Sequence, residues 1–147
     1  MIKLDWKKEA INDLKNYLSR KNSILSMSEQ IQMLDAKMER VKGFSADSPV
    51  MGGASKSEDV LINCIAEKDR LTTNIEIAKK QIAMVERGLT FLSDDERMVL
   101  TMFFINRPSN HIDRLCDELG YEKSTIYRIK ESALYRFTVA MYAIIDL

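Results

Sequence analysis

Seven of the polar side chains between residues 123 and 136 are candidates for hydrogen bonds to nucleic acid: Lys123, Ser124, Thr125, Tyr127, Arg128, Lys130 and Arg136. On a helix turning about 100° per residue, Ile126, Ile129, Ala133 and Phe137 share one side, and Ser124, Arg128, Glu131 and Tyr135 project from the other. One face packs and the other is free to touch something. The hydroxyl, phenol and guanidinium groups of Ser124, Thr125, Tyr127 and Arg128 lie near the helix start, where base edges are normally reached, and a guanidinium can donate two hydrogen bonds to guanine. Lys123, Lys130 and Arg136 suit phosphates, which set register without reading sequence. This is binding chemistry, of a kind that would suit double-stranded DNA.

Bond-making chemistry finds little support. Cys64 and Cys116 sit on apolar stripes of different predicted helices, with no CxxC or Cys/His ligand spacing, and read as small buried thiols. His111, the only histidine, has no indicated partner and reads as a solvated or capping side chain rather than a base. There is no glycine-rich phosphate loop. The sequence predicts no catalytic residue, no metal site and no cofactor, and so not an enzyme.

The elements that must position the seven residues begin upstream. Ile112, Leu115, Cys116 and Leu119 recur at helical spacing on a short stretch, and Gly120 follows where a left-handed residue would end it. A second helical pattern starts at Lys123. This spacing resembles the helix-turn-helix of transcription factors: a small residue at the crossing (Cys116), a glycine four residues on (Gly120), and apolar residues at Leu115, Leu119, Tyr121, Ile126 and Ile129. Residues 119–134, Leu-Gly-Tyr-Glu-Lys-Ser-Thr-Ile-Tyr-Arg-Ile-Lys-Glu-Ser-Ala-Leu, are similar to the fourth region of bacterial sigma factors, which reads promoter DNA, and residues 95–100 resemble that region's first helix.

Charge is segregated. The chain carries 22 Lys and Arg against 22 Asp and Glu, and residues 93–147 hold 7 basic against 9 acidic residues, a net of −2. From Lys123 to Arg136, however, four basic residues face one acid, Glu131, while Asp94, Asp95, Asp113, Asp117 and Glu118 lie on the two preceding helices. Local polarity favours DNA, and the overall balance implies that one copy alone binds weakly.

The N-terminal half reads as an assembly region. Residues 3–42 contain no Gly or Pro, with one apolar series at Leu4, Ile11, Leu14, Leu18 and Leu25 and another at Ile24, Met27, Ile31, Leu34, Met38 and Val41. That is a coiled-coil seam with a phase shift near Ile24. A break between residues 19 and 28, rich in Ser and Asn, fits their weak helix propensity. Gly43, Ser45, Ser48, Pro49, Gly52, Gly53 and Ser55 mark a linker over residues 43–55, expected to be mobile. Ser55 and Glu58 have capping-box spacing, and Leu61, Cys64, Leu71, Ile75, Ala78, Ile82, Val85, Leu89 and Leu92 continue a three-four repeat interrupted only by Lys68. A second stripe, Ile77, Met84 and Phe91, requires another partner, a sister chain or the apolar segment 137–145.

The linker text Pro49-Val50-Met51-Gly52-Gly53-Ala54-Ser55-Lys56-Ser57-Glu58-Asp59, followed by a charged helix and the sigma-like end, is similar to small phage-encoded regulators of the RinA and ArpU type. That resemblance implies control of phage late or packaging genes in Gram-positive hosts. The sequence therefore predicts an all-α protein: a long antiparallel helical hairpin over residues 1–92, then a helix-turn-helix domain over residues 93–147. It reads as a sequence-specific transcriptional regulator, a homodimer on double-stranded DNA. Two alternatives are an adaptor docking on RNA polymerase or another phage component without DNA, and a purely structural assembly factor. No signal peptide or stretch of about 18 apolar residues is present, so the expected location is the cytoplasm, away from any membrane.

Overall fold

The computed structural model describes the backbone of residues 5–47 and 53–143 and the side chains of residues 5–43 and 56–143. Among these residues every regular element is helical, as the apolar periodicities predict: α1 (Trp6–Lys15), α2 (Tyr17–Asp47), α3 (Gly53–Thr90), α4 (Asp94–Leu100) continuing into a π-helical turn (Thr101–Ile105), α5 (His111–Leu119) and α6 (Lys123–Tyr142). No described helix is long and apolar enough to cross a membrane. The chain divides into two compact units, one of Met1–Arg20 with Lys80–Leu147, the other Lys21–Lys79. The boundary that the sequence suggests at residue 92 falls inside the first unit, because Ala10, Leu14, Val85 and Leu92 share a core with residues of α6.

Three helix boundaries differ from the sequence reading. The break suggested for residues 19–28 lies at Asn16, whose backbone N–H turns to the carbonyls of Asn12 and Leu14, and α2 then runs through the Ser- and Asn-rich stretch. A tertiary face outweighs weak propensity there. The seam accordingly takes Tyr17, which packs against the core of the first unit, whereas Leu18 is 41% and Leu25 65% exposed, so the phase shift is not at Ile24. The helix also continues through Gly43 to Asp47, and the next one begins at Gly53, two residues before Ser55, leaving only residues 48–52 of the expected linker between them. Those five residues lie outside the described part, as does the side chain of Ser55.

Within the second unit, α2 and α3 meet where Lys68 Nζ donates to Asp35 Oδ1 at 2.8 Å. Lys68, the residue that interrupts the repeat, is thereby accommodated at a half-buried place by an opposite charge. Its neighbours on the repeat, Cys64, Leu71, Ile75 and Ala78, are buried, while Ile77 on the second stripe stays 50% exposed. Both cysteines are free thiols.

The first unit is built around α6. Its apolar stripe packs Ala133, Leu134, Phe137 and Met141 against Ala10 and Leu14 of α1, Val85 of α3, Leu92 and Leu100. Met84 joins this core, which supplies part of the partner that the second stripe requires, whereas Phe91 remains 61% exposed. A second cluster of Val99, Phe103, Leu115 and Ile126 joins α4, the π-helical turn, α5 and the start of α6.

Gly88 marks a close approach of α3 and α6. A Cβ built there would stand 2.8 Å from Phe137 Cε2 and 2.9 Å from Met141 Cγ. Phe137 has no exposed surface and no free direction to move. Overpacking costs about 1–3 kcal/mol, against a helix-propensity gain of about 1 kcal/mol for alanine over glycine. Gly88→Ala should therefore lower the unfolding free energy, by up to about 2 kcal/mol, in urea titrations. Adding Phe137→Leu should make Gly88→Ala less costly than it is in the native background. A stabilised Gly88→Ala would show that the two helices are not in this contact.

Candidate nucleic-acid interface

The start of α4 is the anchor of this region. Ser93 Oγ accepts from Glu96 N at 3.2 Å, and Ser93 N donates to Glu96 Oε1 at 3.1 Å, a reciprocal cap that satisfies two helix-end donors. The same Glu96 oxygen accepts from Arg136 Nη1, and Arg136 Nη2 donates to the Phe91 carbonyl at 3.0 Å. A nearly buried carboxylate thus ties α6 to the α3–α4 corner, and its charge is compensated where solvation is lost. Close by, Tyr121 Oη donates to Asp95 Oδ2 at 3.2 Å.

From α5 the chain turns sharply. Gly120 adopts φ 74° and ψ 24°, and its N–H closes on the Cys116 carbonyl, a left-handed helix stop that an L side chain adopts only under strain. Cys116, Ile112, Leu119 and Ile129 pack around the cluster of Leu115 and Ile126. Tyr121, read as an apolar position, is instead 40% exposed and engaged through its hydroxyl. The next helix begins at Lys123 after Glu122, whose side chain makes no capping bond.

The seven candidate residues separate into two groups. Lys123, Ser124, Tyr127 and Arg128 are exposed, and Thr125 is half-buried. Thr125 and Arg128 line a shallow cavity of about 290 Å³ with Glu96, Ile129 and Ser132. The other two cations are held within the fold. Lys130 places its ammonium 5.2 Å from the Phe103 ring centre and 5.5 Å from that of Tyr127, and 3.4 Å from Glu131 Oε1. Arg136 bridges Glu96 and Phe91 as described, with its side chain still 52% exposed. The commitment of Arg136 is not visible locally, since its partners stand 40 and 45 residues away.

Residues 41–137 match the family described as Protein of unknown function (DUF1492). The chain belongs to this family. The matched stretch includes all seven candidate residues and ends at Phe137, the buried anchor of α6. No curated protein and no solved structure matches the chain.

His111 departs from the sequence reading in this family member. It opens α5 but is neither solvated nor a cap: it is 6% exposed, its ring meeting Phe103 edge-on with 4.8 Å between centres. Arg107 Nε donates to Nδ1 at 3.4 Å, and Nε2 is buried without a hydrogen-bond partner among the described residues. Burial lowers the imidazole's pKa from its ordinary value, and the nearby Arg107 charge lowers it further. The unfolded imidazole protonates near pH 6.5 and the folded one only at lower pH, so between those values the unfolded chain binds more protons. The stability held by neutral His111 is therefore complete above about pH 6.5 and is lost as pH falls toward the lowered folded value. Melting followed between about pH 8 and pH 5 should show this decline, and His111→Phe should flatten it. An unchanged slope in the variant would assign the decline to other groups.

Proposed function

We propose that the C-terminal part binds double-stranded DNA through the exposed start of α6, with α5, the turn at Gly120 and α6 acting as a helix-turn-helix. The observation carrying this reading is the grouping of Lys123, Ser124, Tyr127 and Arg128 on exposed surface, directly after a glycine in left-handed conformation. Arg128 has a guanidinium suited to guanine and no ion-pair partner among the described residues, and Lys123 is likewise available for phosphate. Lys130 and Arg136 contribute first to the fold. The resemblance to sigma region four and to phage regulators of the RinA and ArpU type supports transcriptional control in the cytoplasm. In this reading α2 and α3 form an antiparallel hairpin that pairs two copies, because a two-helix unit leaves apolar residues such as Leu25, Met33, Ile62 and Ile65 more than half exposed.

A second reading has an observation of its own. Tyr121, Tyr127 and Tyr135 are all exposed, at 40–45%, and tyrosine with arginine is the usual chemistry of a protein docking surface. The same face would then hold RNA polymerase or another phage component, with no contribution from DNA.

Salt dependence and substitution separate the two. Arg128→Ala should cost about 1–3 kcal/mol at a specific DNA site and relax sequence preference, with melting unchanged. Arg136→Ala should act on the fold: leaving Glu96 unpaired, with Arg136 itself half exposed, should cost about 1–2 kcal/mol of stability. Binding to genomic fragments, measured at two salt concentrations for the native chain and both variants, checks these outcomes. If the native chain retains no fragment at low salt, the DNA reading fails and the docking reading replaces it.

A further inference from the structure

A second site lies where α1 meets the end of α6. Trp6, Glu9, Asp13, Met84, Met141 and Tyr142 line a cavity of about 240 Å³. Trp6 and Tyr142 stand with ring centres 4.9 Å apart and planes inclined by 43°, giving the cavity an aromatic wall. The Tyr142 hydroxyl donates to Asp13 Oδ2, and Arg20 Nη1 donates to Asp13 Oδ1 at 2.9 Å. Both oxygens of Asp13 are therefore engaged, and the phenol is held in place. Glu9 is different: it is exposed and its carboxylate has no partner among the described residues. One unneutralised negative charge thus sits beside two π systems and two polarisable methionines.

We infer that this cavity binds a small organic cation, an alkylammonium or guanidinium head. Aromatic faces attract such cations through their quadrupole, and the attraction is larger for weakly hydrated heads than for a compact inorganic ion. Glu9 supplies the formal charge and the methionines supply apolar contact for the alkyl part. The volume is below the roughly 300 Å³ at which drug-sized pockets begin, so a head group or a single side chain fits rather than an extended ligand. A free alkylammonium metabolite and the side chain of a partner protein share this chemistry.

Trp6 is the only tryptophan, so its fluorescence reports on this cavity alone. The full chain is titrated with choline, with Nα-acetyl-arginine amide, and with the uncharged isostere of choline in which a tert-butyl group replaces the trimethylammonium. A saturable change is expected with a cation in the millimolar range, the affinity of a few weak contacts, with the neutral isostere at least about tenfold weaker. Tighter choline assigns the site to free small molecules, and tighter arginine amide to a partner's side chain. Glu9→Gln, an exposed substitution, should leave melting unchanged and weaken the cation response by about tenfold. The inference is overturned if the neutral isostere matches the cations, if Glu9→Gln binds as the native chain does, or if neither cation saturates while circular dichroism is unchanged.

Discussion

The close contact of Gly88 with Phe137 governs how the first unit is arranged. With no Cβ on α3 at that point, the Phe137 ring lies against the helix backbone, and Met141 follows one turn later. Around this contact, Ala10 and Leu14 of α1 and Leu100 of α4 are fully buried in the same cluster. Because α6 is one unbroken helix, fixing Phe137 also fixes its other end. Lys123 lies 14 residues away, about 21 Å at the α-helical rise, so the exposed start is carried on a rigid lever whose far end is buried.

The parts of this arrangement that were legible in the sequence are the parts written in short-range pattern. The three-four repeat from Leu61 to Leu89 named the buried face of α3 almost residue by residue, and the glycine at 120 fell at the left-handed stop. Helix extents were less legible. Weak intrinsic propensity around residues 19–28 and glycine chemistry near residue 43 were local signals, and both gave way to longer helices. Apart from the packing of Met84 against α6, contacts between particular side chains were not legible. Nothing near Arg136 announces Glu96, nothing near Trp6 announces Tyr142, and His111 became buried because Phe103 and Arg107 arrive from the preceding turn and loop.

Glu96 explains why charge counting alone describes the candidate interface poorly. Its carboxylate caps α4 and neutralises Arg136, so an apparently free cation of α6 is part of the scaffold. Glu131 acts similarly from the exposed face, standing 3.4 Å from Lys130 and 4.0 Å from Lys7. The basic run seen in sequence is thus partly cancelled by acids supplied from α4 and from α6 itself. What remains is a small exposed set with two cations, Lys123 and Arg128, that have no ion-pair partner among the described residues, together with three exposed tyrosines.

That remainder makes different demands on the two functional readings. Each phosphate neutralised contributes about 0.9 to the salt slope on duplex DNA, so Lys123 gives about 1 per copy, and about 2 if Arg128 also meets a phosphate, far below the slope of a protein making about six to ten phosphate contacts. For the DNA reading, a second copy is consequently a requirement: two α6 helices together double the contacts and add the geometric selection of a two-fold site. The exposed apolar residues of α2 and α3 provide surface for such pairing, and in that reading assembly and recognition stand or fall together. The docking reading carries no such requirement, because burial of tyrosine rings against a protein partner is a local, largely salt-independent contribution that one copy can make alone.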